Sequence, residues 1–125
     1  MSNYQYSPQE IEDGLRQFTG GDTIYKHWLG ITYTEGVKWL ADKAGAFWLI
    51  DAIASWQVEA RKDAMLRDFQ MWVLMVNLDT HSAALSCCRD AGDVAFMQEI
   101  EWTDFPLKEI KFYLENNVLC LPQER

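Results

Sequence analysis

The stretch VKWLADKAGAFWLIDAIASW, residues 37–56, is long, strongly apolar and interrupted only at Ala44-Gly45. It reads as two helices. In the first, Val37, Leu40 and Ala41 make one stripe that Trp39 broadens, and Thr34 can supply the N-cap. In the second, from about Ala46, the side chains of Phe47, Trp48, Leu49, Ile50, Ile53 and Trp56 leave Asp51 as the only charge. A helix apolar almost all round is expected to be buried on several sides, so the rest of the chain should fold around this pair. The second helix is expected to run to about Gln57, or on through VEARKDAM.

Towards the start of the chain, Ser7-Pro8-Gln9-Glu10 combines a capping box with proline at the first helical position. Ile11, Leu15 and Phe18 then share a face, and Gly20-Gly21 ends that helix. Residues 1–6 lack periodicity and predict a loose arm from which Tyr4 and Tyr6 can pack. The segment DTIYKHWLGITY, residues 22–33, has no helical spacing and predicts a short extended or irregular connection.

Towards the other end the character changes. FQMWVLMV, residues 69–76, reads as a central strand, HSAALSCCR, residues 81–89, as a second, and Asp90-Ala91-Gly92-Asp93 as the turn into a third. In VAFMQEIEW, residues 94–102, alternation predicts Val94, Phe96, Ile100 and Trp102 on one face and Ala95, Met97, Glu99 and Glu101 on the other. Pro106 precedes a segment in which Leu107, Ile110 and Leu114 have helical spacing, so a last helix is expected, stopped by Asn116-Asn117, before a short closing strand VLCL. No repeat or linker divides the chain. The expectation is one globular domain over residues 1–125, of α+β class, with helices packed on one face of a small three- to four-stranded antiparallel sheet.

Composition bounds the function. A chain with 6 Trp, 6 Phe and 5 Tyr among 125 residues has ample material for a core. Its three cysteines are an odd number with two adjacent, which argues against a disulfide framework. With no charged-then-apolar start and no apolar run long enough for a bilayer, a soluble cytoplasmic protein is expected. The formal net charge of -8 disfavours direct binding to nucleic acid or anionic membranes and favours a partner with a basic surface.

YTEGVKWLADKAGAFWLIDAIASWQ, residues 33–57, together with TDFPLKEIKFYLENNVLCLP, residues 103–122, resembles a family of short uncharacterised bacterial and phage-associated proteins, a domain of unknown function. The resemblance extends over nearly the whole chain. It implies a bacterial, phage or mobile-element context and brings no catalytic residues with it.

Candidate chemistry follows from residue types. Asp51, flanked by apolar neighbours on a helix expected to be buried, is the candidate general acid or base of a small enzyme, because desolvation raises a carboxyl pKa. The alternative is a carboxylate that accepts hydrogen bonds in a structural role. His27 and His81 with Cys87, Cys88 or Cys120 lack metal-ligand spacing, so no metal is expected, and no cofactor motif is present. Cys87 or Cys88 with His81 and Asp79 is a nucleophilic set on paper, competing with cysteine as a small buried hydrophobe. Asp93, Glu99, Glu101 and Asp104 form an acidic run that reads as a recognition patch for a basic partner or as a solvated face. The leading expectation is a non-enzymatic protein-binding or accessory module.

Overall fold

The computed structural model describes residues 6–125. Helix α1 (Pro8–Leu15) begins at the predicted capping box: the Ser7 hydroxyl accepts from the Glu10 N–H at 3.2 Å, and the Glu10 carboxylate accepts from the Ser7 N–H at 3.0 Å. Helix α2 (Glu35–Ala44) is capped by Thr34 and ends at Gly45, whose φ of 62° is the left-handed conformation glycine adopts without strain. Helix α3 (Phe47–Ser55) follows, then the short α4 (Gln57–Ala60) and α5 (Ala64–Asp68). Of the expected N-terminal arm, residues 1–5, Tyr4 included, lie outside the described residues. Tyr6 packs edge-on against Trp39 at 6.4 Å.

Seven strands form a single sheet among the described residues: β1 (Ile24–Lys26), β2 (Thr32–Thr34), β3 (Phe69–Val76), β4 (Ala83–Asp90), β5 (Asp93–Ile100), β6 (Glu109–Glu115) and β7 (Val118–Cys120), in the order β1-β2-β7-β6-β3-β4-β5. The α+β class holds. The expected small, purely antiparallel sheet of three or four strands does not, because β2 and β7 pair in parallel, Thr32 with Val118 and Tyr33 with Leu119. The predicted last helix is overturned too. Residues 109–115 carry apolar side chains at a period of two (Ile110, Phe112, Leu114) as well as at helical spacing. Pairing on both sides, with β3 and β7, selects the period of two and buries Phe112, which a helix built on Leu107, Ile110 and Leu114 would have turned away.

The core lies between the helices and one face of the sheet, where Trp72 and Leu74 of β3, Leu85 of β4 and Phe112 of β6 meet Leu40, Leu49 and Ile53. One polar knot lies within it. Gln57 and Gln70 exchange reciprocal amide hydrogen bonds at 2.8 Å, and their remaining N–H groups reach the carbonyls of Ile53 and Leu66. The Trp72 indole donates to Gln70 Oε1 at 2.8 Å. Buried amides so satisfied cost little and fix how α3 and α4 sit on β3.

After β5 the chain crosses to the far side of β3 through residues 101–108, burying Phe105 and Leu107 on the way. This crossover is stitched to the β3–β4 turn, with the Thr103 N–H donating to the His81 carbonyl at 2.8 Å.

Candidate interaction surface

Side chains alternate along a strand, so β3 sends Met71, Val73 and Met75 to the face opposite Trp72 and Leu74. Strand pairing sets them in rows. Glu109, Met75, Ala84 and Glu99 stand abreast across β6, β3, β4 and β5. Behind them come Lys111, Val73, Ser86 and Met97, then Tyr113, Met71, Cys88 and Val94. The register shifts between Cys87 and Cys88, pairing Phe96 with Cys87 and Val94 with Cys88, so Val94 does not share the face of Phe96 as strict alternation predicts. Met75, Val94 and Met97 are each about half exposed, at 51%, 52% and 54%.

Strand β4 contributes only the small side chains Ala84, Ser86 and Cys88 to this face, so it is the floor of a trough. Its walls are β3 and β5, two strand spacings or about 10 Å apart. Where the trough meets the 77–82 turn it widens into a cavity of about 590 Å³, lined by Met75, Ala84, Ile100, Glu99 and Glu101 among others.

Of the four acidic residues singled out in the sequence, Glu99 and Glu101 come together at this cavity. Asp104, half-buried and already engaged by a neighbouring group, lines a smaller pocket beside it with Trp48 and Trp102. Asp93 lies at the other end of β5, about 20 Å away at the usual rise per residue. It is paired there with Arg89 at 3.0 Å, and the same guanidinium holds Asp63 at 2.7 Å. The hydrogen bond from Arg89 holds the Asp63 carboxyl below its ordinary range. Asp93 therefore belongs to a turn-fixing ion-pair group rather than to the trough.

Asp51 is not buried as its neighbours predict; its side chain is 57% exposed. Helix α3 buries Leu49, Ile50, Ile53 and Ala54, which turns Phe47, Asp51 and Ser55 outward together. The carboxylate does have a partner in another element, His27 Nε2 at 2.6 Å. The Leu29 N–H donates to His27 Nδ1 at 3.0 Å, so the ring proton resides on Nε2 and is directed to Asp51. Both ring nitrogens are thus occupied within the protein. The contact ties the β1–β2 loop to α3, and the Asn117 amide secures the same loop by donating to the Gly30 carbonyl at 2.7 Å. Trp28 stacks on His27 and is 82% exposed.

Cys87, Cys88 and Cys120 are free and buried. Burial pushes the Cys87 thiol up to about 12 and that of Cys120 to about 11, far from the thiolate that nucleophilic attack requires. His81 packs instead against Trp102, ring centroids 5.5 Å apart. Among the described residues no group of three or more His, Cys, Asp or Glu side chains is arranged to hold a metal ion.

Met75, Met97, Trp48 and Trp102 are not among the functional candidates that residue type and spacing single out. A signal exists for Met75, because FQMWVLMV is apolar at both parities, and a strand apolar on both sides needs cover on both. Trp48 and Trp102 are joined only by the tertiary fold.

The sequence profile of a family described as a "Family of unknown function (DUF6876)" matches residues 9–125. No curated protein and no solved structure matches the chain. No helix among the described residues is long and apolar enough to cross a membrane.

Proposed function

Because the chain belongs to that family of unknown function, we propose from its geometry that it is a non-enzymatic protein-binding module that docks a basic partner on the helix-free face of its sheet. The observation that carries this reading is the row Glu109, Met75, Ala84, Glu99: exposed apolar surface bounded on both sides by carboxylates. Methionines suit such a surface, since an unbranched polarisable side chain remoulds to its partner at small cost. A net charge of -8 steers cationic surfaces towards it and repels nucleic acid and anionic membranes. Three buried free thiols support a reducing compartment, hence the cytoplasm. The resemblance of residues 33–57 and 103–122 extends the proposal to a phage or mobile-element modulator of a host protein.

A small enzyme using Asp51 has weaker support. The His27 contact is the observation in its favour, but a histidine with both nitrogens engaged has none to offer a substrate.

The test is to reverse the two carboxylates at the β5 side of the cavity, Glu99→Lys with Glu101→Lys, and follow partner capture from a host lysate at low and physiological salt. One partner should survive washing at physiological salt with the native protein and lose about tenfold or more in affinity with the double variant, since opposed charges across an interface set both rate and specificity. Capture unchanged in identity and in salt dependence refutes the proposal.

A further inference from the structure

Strand β6 is paired along only part of its outer edge. Val76, one step beyond the Met75–Glu109 pair, donates its N–H to the Lys108 carbonyl at 2.9 Å. Backbone groups of successive residues turn alternately to the two sides of an antiparallel strand, so those of Ile110, Phe112 and Leu114 also serve β3, while those of Glu109, Lys111, Tyr113 and Glu115 point the other way. There Tyr113 and Glu115 meet Cys120 and Val118 of β7. The same register would set Pro122 opposite Lys111, and a proline has no N–H to donate. The chain leaves the sheet at that point in a 3-10 turn, Pro122–Glu124. Glu109 and Lys111 thus each hold a backbone N–H and C=O toward a side on which β7 has already ended.

A cavity of about 510 Å³ occupies the vacated position. It is lined on the helix side by Leu15, Ile110 and Leu121, and on the other by Glu109, Lys111 and Tyr113. Its walls are held in place: the Gln123 amide donates to the Leu15 carbonyl at 2.9 Å, and Tyr113 lies against Phe69 with ring centroids 5.2 Å apart. Neither Glu109 nor Lys111 forms a salt bridge with another of the described residues. At the usual rise per residue, an extended segment of about three residues spans the open edge.

We infer that this gap takes an extended segment of a partner protein, added antiparallel to β6 in the line of β7, with the sequence acidic, apolar, basic. In strand addition the edge backbone supplies the hydrogen bonds and the flanking side chains supply the choice of sequence. Antiparallel pairing continues the direction of β7 and is the more stable per residue. Side chains directly opposite across a ladder share a face, so the residues set against Lys111 and Glu109 stand beside those charges, and the one set against Ile110 turns to Leu15 and Leu121. An acid facing Lys111 and a base facing Glu109, with an aliphatic residue between, match all three, whereas the reverse order sets like charges against each other twice. The inference goes beyond docking in the trough, whose walls are β3 and β5, and does not rest on it.

The experiment uses the full chain and two capped peptides flanked by threonines, one with the central sequence glutamate-valine-lysine and one with lysine-valine-glutamate. In the free protein, the Glu109 and Lys111 amides should exchange with deuterium about a hundredfold faster than those of Ile110 and Phe112, which β3 protects. Equal protection would mean that the edge is already covered and overturns the inference. The first peptide should bind saturably and slow exchange at Glu109 and Lys111 about tenfold or more, and the second should bind about tenfold more weakly. Exchanging the two charges, Glu109→Lys with Lys111→Glu, should reverse that preference. N-methylation of the peptide's glutamate or lysine, whose backbone groups face β6, should abolish binding, and N-methylation of the valine should not. No saturable binding, or equal binding of the two peptides, overturns the inference. So does loss of the peptide in the Glu99→Lys, Glu101→Lys double variant, which would seat it in the trough, and so does protection of Glu109 and Lys111 that grows with protein concentration alone, which would seat a second copy of the chain on the edge. Peptide binding is read at the β6 backbone and partner capture at the β5 carboxylates, so either proposal can fail while the other stands.

Discussion

Gln70 shows how a single side chain can decide a packing arrangement. Its carboxamide oxygen accepts from both Gln57 and Trp72, and its amide donates to Gln57 and to the Leu66 carbonyl, all within the core. Replacing it with a leucine of similar size removes four bonds but leaves the donors of Gln57 and Trp72 in place and dry. Gln70→Leu should therefore destabilise the protein by about 1–3 kcal/mol despite its greater apolarity, the usual cost of stranding a buried donor. Urea unfolding of the variant measures this directly, and a neutral or stabilising result would show that the two donors find other acceptors. Neither amide announces its role in the sequence, because Gln70 is the single polar residue of an apolar strand and its partner is 13 positions earlier.

Among the elements, α2 is held at its start by a carboxylate from the other end of the chain. Glu124, in the 3-10 turn Pro122–Glu124, accepts from the Thr34 hydroxyl at 2.6 Å, the Gly36 N–H at 3.1 Å and the Leu121 N–H at 3.0 Å. Its negative charge meets the positive end of the helix dipole. Gly36 is what lets it approach, since a Cβ there would lie 2.7 Å from the carboxylate. Two substitutions should then be coupled. Gly36→Ala alone should cost about 1–2 kcal/mol by displacing the cap, although alanine is the better helix former by about 1 kcal/mol. In a Glu124→Ala background the same change should be neutral or stabilising. Additive effects in a double-mutant cycle would show that the two residues do not constrain one another.

Local signals are legible in the sequence where they act locally. The Ser7 box, the Thr34 cap and the Gly45 stop need only a few adjacent residues, and each forms as the sequence predicts. Residues 109–115 were ambiguous because their apolar positions fit two periods, and only the strands on either side resolve them. Asn116-Asn117, expected to stop a helix, adopt left-handed φ of 52° and 65° and turn β6 into β7 instead. The candidate surface divides in the same way. Glu99 and Glu101 are legible as neighbours in the sequence, whereas the trough whose wider end they line depends on the small residues of β4 lying beside the methionines of β3, a relation that exists only across the sheet.

At the scale of the whole molecule, the parallel pairing of β2 with β7 joins the earliest strands to one of the last. Thr32 donates through both its N–H and its hydroxyl to the Asn117 carbonyl, and Arg61 reaches the Asn117 side chain at 2.7 Å, so one turn holds two distant segments. The order in which a ribosome delivers these segments then matters. The β1–β2 hairpin is made early but has no sheet to join until Val118, Leu119 and Cys120 have emerged, because β7 alone lies between it and β6. Throughout that interval the hairpin and the β3–β4–β5 meander are separate pieces, each with an unpaired edge open to misassociation. Nascent chains arrested with residue 110 just outside the ribosome should be cut by a brief protease pulse within residues 22–33, and chains arrested with Leu121 well clear should resist it. Protection of the hairpin in the shorter chains would mean that it finds its place without β7, and that the last-made strand is a lid on a finished sheet rather than the piece that completes it.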